Sequence, residues 1–388
     1  MLTSVFRLIL WLLWLSTSLT LLTSAVCAQP ATNKGSGVAK SEGAAVLKEL
    51  ELVVRGRLFT HFHYTQMEPE PFNEFEIREV QLGFEMNWNR FVGMELLLEG
   101  LRSAQPQSLF GIDRNSFVFR FRRAWAWGRF GFTKYDKWEI RLGLIPDPWV
   151  GAMQKTYTLR GLSPLLSEHS GFYGPSDLGA AVQVSVLEGL VSLQYAYTNG
   201  EGLNMTEQNR GKNSTILLSL RPLRFRWLGE MAELNLHGSY RDGSVGAGFA
   251  KNHRAAAGLT LTHRRFAVGG EFVFADGVMG RDQQGNALGL WAHGYVLPRW
   301  LGLIVRYDRW TLDANKENTG LQRLFAGVYS DLARFKYRNR PQLFRLYLTY
   351  QYQSSEANAG PVAGVPQANE AHRVLLLLSI QGAWTSKG

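Results

Sequence analysis

The sequence predicts an all-β protein: a transmembrane antiparallel β-barrel of about sixteen strands, with its third long loop folded inward. Three observations predict it. From about residue 50 apolar and polar residues alternate with a period of two, nearly to the C-terminus. The alternating runs are roughly 9–13 residues long, which is what a tilted strand needs to cross a bilayer. Their apolar faces tend to end in Trp, Tyr or Phe, as an interfacial girdle requires. In hydrocarbon every backbone group must be paired, so spanning strands must close on themselves. A soluble sandwich would use shorter strands and bury its apolar face.

Composition agrees. The chain has 388 residues, with 45% hydrophobic, 19% charged, 40 Gly and 12 Trp, which excludes disorder. A single cysteine excludes a disulfide framework and any cysteine-rich zinc or iron–sulfur site. A slightly negative mean hydropathy excludes a bundle of membrane helices. The formal net charge is +10.

Residues 1–28 read as a secretory signal peptide. Arg7 supplies the positive region, an apolar run starts at Leu8, and Val26-Cys27-Ala28 gives small-x-small cleavage geometry. The alternatives are an uncleaved anchor, for which the run is long enough, and a lipoprotein at Cys27, where Val26 replaces the Gly or Ala such signals want. Residues 29–48 are small and polar, a flexible periplasmic leader with a short helix near its end. The barrel is then 49–388.

The first strand, 51–65, sets Val54, Leu58, Phe62 and Tyr64 against Arg55, Arg57, His61 and His63. The second, 75–89, sets Val80, Leu82, Phe84 and Met86 against Glu79, Gln81 and Glu85. The third, 91–103, sets Met94, Leu96 and Leu98 against Glu95 and Glu99. The pattern continues at 117–130, 137–146, 177–187, 190–198, 212–221, 231–241, 252–263, 265–275, 287–297, 301–312, 322–330, 341–354 and 371–384. An even strand number puts both termini on the periplasmic side. Connections alternate short and long, the long ones rich in Gly, Asn, Asp, Pro and Ser. Residues 222–230 and 331–340 break the rule, since they should be short and read as long. The longest early loop, 147–176, holds Lys155, Arg160, Glu168 and His169, and its natural place is inside the lumen as a constriction.

Four segments carry a family resemblance. Phe75-Glu76-Ile77-Arg78-Glu79-Val80-Gln81-Leu82-Gly83 resembles the second strand, F-x-I/L-R-R-A-x-L-G, of the phosphate-selective (O/P-type) porins, with Glu79 in place of the second Arg. The segment from Trp138 to Trp149 is similar to that family's L-x-I/V-G-Q-x-x-x-P-F/W strand, matching at Gly143 and Pro148, with Leu144 at the Gln. Asp177-Leu178-Gly179-Ala180 resembles its D-x-G-V/A start, and Asn199-Gly200-Glu201-Gly202 its N-G-x-G loop. The likeness covers about residues 50–205; the C-terminal half matches only as barrel. It implies a trimeric porin in a bacterial outer membrane, in contact with outer-membrane lipid and passing small polar or anionic solutes by diffusion. The bases by which that family grips phosphate have no residue-by-residue match here. Trp384 stands where such barrels carry a terminal aromatic, but Thr385-Ser386-Lys387-Gly388 follows it.

Alternation assigns the lumenal charges. The bases are Arg55, Arg57, Arg120, Arg122 and Arg141, then Arg254, Arg306, Arg345 and Arg373. The acids are Glu79, Glu85, Glu95, Glu99 and Glu139, then Glu233, Glu271 and Asp308. The two signs nearly balance, but they are segregated. Arg345, Arg373, Arg55 and Arg57 become neighbours on closure and face the glutamates of the second and third strands. Such walls set up a transverse field that favours polar solutes. Arg120, Arg122 and Arg141, with Lys155 and Arg160, form a basic ladder that favours anions weakly, or else pair with nearby glutamates and stiffen the wall. Basic residues such as Arg221, Arg224 and Arg226 fall in connections, near anionic headgroups. Arg123 shares a face with Phe119, Phe121, Trp125 and Trp127, where lipid would cost it roughly 2–4 kcal/mol. Either a bulge between Arg122 and Arg123 flips the register, or that face meets a neighbouring protomer.

The remaining motifs read as structural. His61 and His63 at i, i+2 are close enough to share a metal, but two imidazoles in a wet lumen explain them without one. Gly243, Gly246 and Gly248 lack the helix of a phosphate cradle. No G-x-S-x-G or H-E-x-x-H occurs. A barrel hydrolase using His253 or His263 on the outer wall, and a non-transport barrel acting as cell-wall anchor or adhesin, are the alternatives. The expectation is a channel, not an enzyme, with no cofactor, no metal and no nucleic-acid partner.

Overall fold

Period-two alternation gives each strand one polar and one apolar face, and the chain satisfies both by rolling into a cylinder. The computed structural model describes residues 50–66, 71–102, 117–131, 136–203, 210–278, 280–298, 300–337, 340–356 and 370–387. The expected signal peptide and leader lie outside the described residues, as does the side chain of Trp384.

The strands are β1 (Glu51–Gln66), β2 (Phe72–Asn87), β3 (Val92–Arg102), β4 (Phe117–Phe130), β5 (Lys137–Pro146), β6 (Ser176–Val186), β7 (Val191–Thr198) and β8 (Asn213–Trp227). They continue as β9 (Glu230–Asp242), β10 (His253–His263), β11 (Phe266–Val278), β12 (Arg281–Leu297), β13 (Leu301–Thr311), β14 (Gly320–Tyr337), β15 (Arg340–Ser355) and β16 (Glu370–Lys387). Each pairs with its sequence neighbours, and β1 closes on β16, giving a sixteen-stranded antiparallel barrel. Closure removes every free sheet edge. A two-residue ribbon, Ser244–Val245 with Ala250–Lys251, decorates the loop after β9.

The two connections expected to be long are tight. β8 runs on to Trp227 and β9 starts at Glu230, so only Leu228 and Gly229 turn the chain, at φ of 50° and 80°. Two successive positive φ values make the hairpin turn whose twist matches its strands. Pro222 reads as a strand breaker, but it sits where the β8–β9 register shifts between Leu220 and Leu223, a place a strand tolerates proline. Likewise β14 continues to Tyr337 and β15 starts at Arg340, with a shift between Asp331 and Ala333. Arg221, Arg224 and Arg226 therefore lie on a strand, not in a connection.

The outer wall is apolar around the cylinder, as Phe119, Leu142, Leu193, Ile216, Phe272, Leu303 and Leu348 show by their exposure. Exposed Trp138, Trp227 and Trp300 ring the end with short turns, and exposed Tyr64, Tyr197, Tyr240 and Tyr350 ring the end with long loops. Two aromatic girdles around an apolar band are what a bilayer selects.

Two bulges re-aim arginines. In β4, Arg123 pairs with Leu97 and Phe121 with Leu98, leaving Arg122 as the extra residue. Phe117, Phe119 and Phe121 stay outside. Past the bulge the faces exchange, and Trp125 and Trp127, expected outside with them, are buried inside. Arg123 turns inward with them and escapes lipid. In β2 the register shifts opposite Phe59 and Thr60, so Arg78 joins Glu79 on the inner side.

Candidate channel interior

The third long loop leaves β5 at Pro146 and rejoins the wall at Ser176. Gly143 sits at φ +119°, with Ala124 O in the space a Cβ would take, so the wall can bend tightly beside the loop. Asp147 caps the helix α1 (Pro148–Met153), its Oδ1 accepting from Val150 N at 3.2 Å, and Pro148 opens that helix. A second turn of helix, α2 (Leu166–His169), follows.

One side of this loop is apolar. Trp149, Val150, Met153, Leu159, Leu165, Leu166, Phe172 and Tyr173 are buried against inward residues of β11 to β16, among them Val273, Trp291, Trp310, Phe325, Tyr347 and Leu377. The hydrophobic core of this protein therefore lies inside its barrel. Polar anchors fix its position. Trp149 Nε1 donates to Glu271 Oε2 at 3.2 Å, and Ser167 N donates to Glu271 Oε1 at 3.1 Å. Arg306 donates to the Tyr157 hydroxyl and to Pro164 O at 2.7 Å. Arg254 donates to Phe172 O at 2.8 Å.

The other side is ionic. Arg160 reaches Glu79 at 3.2 Å and Glu168 at 3.0 Å, and Arg122 bridges Glu168 at 2.5 Å and also Glu99. Gln154 Nε2 donates to Glu168 Oε2 at 2.9 Å. Arg120 adds a 2.8 Å contact to Glu99, and Arg78 donates to Leu162 O. Burial alone would push the Glu168 carboxyl up; the Arg160 and Arg122 guanidiniums outweigh it and hold the group well below the usual carboxylate range. His169 is pushed well below the usual imidazole value by burial and then by Arg323, whose guanidinium stands 3.1 Å from its Nε2.

The loop divides the lumen. A cavity of about 1470 Å³ opens on the turn side, and one of about 410 Å³ opens on the long-loop side. Both touch Asp147, which is ion-paired with Arg241. Among the described residues the larger cavity is lined by twelve Arg or Lys against five Asp or Glu. Lys155 projects into it, and enclosure by the walls and then nearby Arg141 push its ammonium below the ordinary value.

The expected lumenal residues separate by role. Arg55, Arg57, Glu85, Glu95, Arg122, Arg141 and Arg345 border the large cavity. Arg55 pairs with Glu85, Arg123 with Glu95 at 3.4 Å, Arg141 with Glu139, and Arg345 with Asp331 at 2.6 Å. One pair, Arg55–Glu85, thus joins the basic wall to the acidic one, and Arg345 is paired with Asp331 of β14, which weakens the transverse field at its source. Arg254, Arg306 and Asp308 face inward but anchor the loop. Arg306 and Asp308 are fully buried, 2.9 Å apart, and border neither cavity. Arg373 lies on the inner face of β16, two strands from the glutamates of β2. In the loop, Lys155 and Arg160 reach the large cavity, whereas His169 packs on Trp310 at 5.7 Å between ring centres.

Sequence reasoning missed Arg78, Asp147, Arg241 and Arg323. Arg78 was hidden by its bulge. Arg241 and Arg323 sit at strand ends, where the alternation is shortest. On the outer wall, His263 bonds Trp227 O at 3.0 Å and Arg265 N at 3.2 Å, which leaves both ring nitrogens engaged with backbone. His253 contacts Asp242 at 3.1 Å.

No family model and no curated protein matches this sequence. Solved structures do resemble it. An anion-selective porin from Comamonas acidovorans superposes with a TM-score of 0.55 at 14% identity, covering 87% of this chain and 100% of its own. Salmonella typhi OmpF, in a complex with daunomycin, gives 0.54 at 13% identity, covering 86% and 98%. Pseudomonas putida OprB gives 0.53 at 10% identity, covering 89% and 96%. At such identities the likeness establishes the fold, a porin-type barrel.

Proposed function

We propose that this chain is a bacterial outer-membrane porin, exported through a cleaved signal peptide, that passes small polar solutes by diffusion with a weak preference for anions. The observation that carries the reading is the turn-side cavity of about 1470 Å³, lined by twelve bases and five acids, inside a barrel whose outer wall is apolar; carboxylates outside that lining pair with Arg122, Arg160 and Arg345, which leaves a small excess of positive charge. That excess attracts anions and repels cations over the Debye length of about 8–10 Å. The neutralised wall of β2 to β4 and the excess elsewhere favour a diffuse anion preference over a single grip on phosphate. The fold likeness to one anion-selective porin, that of Comamonas acidovorans, supports the same reading, as does the phosphate-porin pattern of Arg78 and Gly143. Trimers follow from that resemblance. No catalytic role is assigned.

Single-channel recording of the folded protein in a planar bilayer, with a salt gradient, tests it. Discrete steps, grouped in threes, with a reversal potential on the anion side are expected. A heat-modifiable barrel that gives no steps would sink the channel and return the anchor reading. Inorganic phosphate should lower chloride current only weakly; a saturable block at micromolar phosphate would replace diffusion by specific binding.

A further inference from the structure

Ligating side chains converge at the long-loop mouth of the lumen, apart from the network of the third loop. His61 and His63 are two apart on β1 and share its inner face. The antiparallel register sets Glu76 of β2 opposite His61 and Glu74 opposite His63. His61 Nε2 is 3.0 Å from Glu76 Oε2, and the two imidazole centres are 5.2 Å apart. One ligand atom from each of His61, His63 and Glu76 lies within 4.8 Å of the others. Zinc bonds of about 2.0–2.2 Å in a tetrahedron set ligand atoms roughly 3.4 Å apart. To share one ion the three atoms need to close by at most about 1.4 Å.

We propose that His61, His63 and Glu76 form a binding site for a divalent transition-metal ion, with zinc as the reference ion, at the outer mouth of the barrel. Two imidazoles and one carboxylate suit zinc, copper or nickel, whereas magnesium and calcium take oxygen shells. Three protein ligands leave a fourth position for water. The ligands stand on two hydrogen-bonded strands of a closed barrel, so little order has to be created on binding. The charged groups facing the site are Glu74 on β2, which favours a cation, and Arg78 on β2 and Arg373 on β16, which oppose one; Arg78 is drawn to Leu162 O, and the backbone neighbour of Arg373 on β1 is Thr65. Two carboxylates thus balance two guanidiniums, and the affinity rests on the ligand set itself. The site does not depend on the channel reading; only its effect on current does.

Full-length protein folded in detergent is titrated with Zn²⁺ by calorimetry, alongside His61→Ala, His63→Ala and Glu76→Gln, each checked for heat-modifiable mobility. The expected result is one site per chain. Affinity should fall at least about tenfold in each variant, since losing even an outer partner of a metal ligand typically costs that much. Co²⁺ should give a visible d–d spectrum that His63→Ala abolishes. Absence of Zn²⁺ uptake by the wild-type protein, or uptake unchanged in all three variants, overturns the proposal. Zn²⁺ binding lost in the variants, from a barrel that never conducts, supports the site and counts against the channel alone.

Discussion

Consider Glu168→Gln, which removes one charge from the ionic edge of the third loop and almost no volume. The carboxylate accepts from Arg122 at 2.5 Å, from Arg160 at 3.0 Å and from Gln154 at 2.9 Å, with a side chain only 10% exposed. Removing one partner of a buried pair costs about 3–5 kcal/mol. Here Arg122 keeps Glu99 and Arg160 keeps Glu79, so the lower end applies. At about 1.4 kcal/mol per decade, roughly 3 kcal/mol shifts the equilibrium between docked and released ionic edge by about two decades. The apolar side of the loop stays seated, so the barrel still folds. In bilayer recordings the variant should flicker between the wild-type step and a larger one. The sign of the pH dependence follows from the same pairs. The folded-state carboxyl is held well below its unfolded value of about 4.3, so its contribution is complete above that value and is lost only as pH falls through the depressed one. Wild-type current noise should therefore stay flat from neutral pH down to about 4.5. Wild-type-like conductance and noise in Glu168→Gln would refute the clamp.

Three other outcomes are expected. Trp149→Ala empties the centre of the interior core and should cost about 3–5 kcal/mol, read as an earlier heat-modifiability midpoint. Arg141→Gln with Lys155→Gln removes two cavity-lining charges and should move the reversal potential toward zero with little change in stability. The folded-state pKa of His169 is depressed by burial, so the unfolded chain binds the extra proton and stability should decline as pH drops below about 6.5, until the depressed folded value is reached. His169→Gln should make that acid-side slope shallower by the share of one histidine, measured as the unfolding midpoint at pH 7 and pH 5.

Strand number and most inward faces were legible because a barrel in lipid enforces period two along each strand between its bulges. Where legibility failed, a single inserted residue was responsible. Arg78 in β2, Arg122 in β4 and Pro222 in β8 each shift the register, and alternation read across a shift inverts the faces, as it did for Trp125 and Trp127. The doubled Arg122-Arg123 betrayed its bulge, because an arginine facing lipid is costly. Nothing comparable marked Pro222. The third loop was legible as a long inward segment. Its two-sided character was not, since its apolar residues follow no strand or helix period and their partners lie on strands distant in sequence. Arg254, Arg306 and Asp308 look like pore charges from alternation alone, and only the loop packed over them shows that they serve as anchors.

The interior core carries a consequence for how such a protein can diverge. The residues that seat the loop come mainly from β11 to β16, while the ionic edge and the basic cavity draw chiefly on β1 to β5. The residues that keep the barrel filled and those that meet solute are thus mostly different. Charges on β1 to β5 outside that ionic edge, such as Arg55, Arg57 and Arg141, can change while the apolar seat is untouched. The lining of the cavity can therefore vary by point substitution while the packing that keeps the barrel filled is conserved.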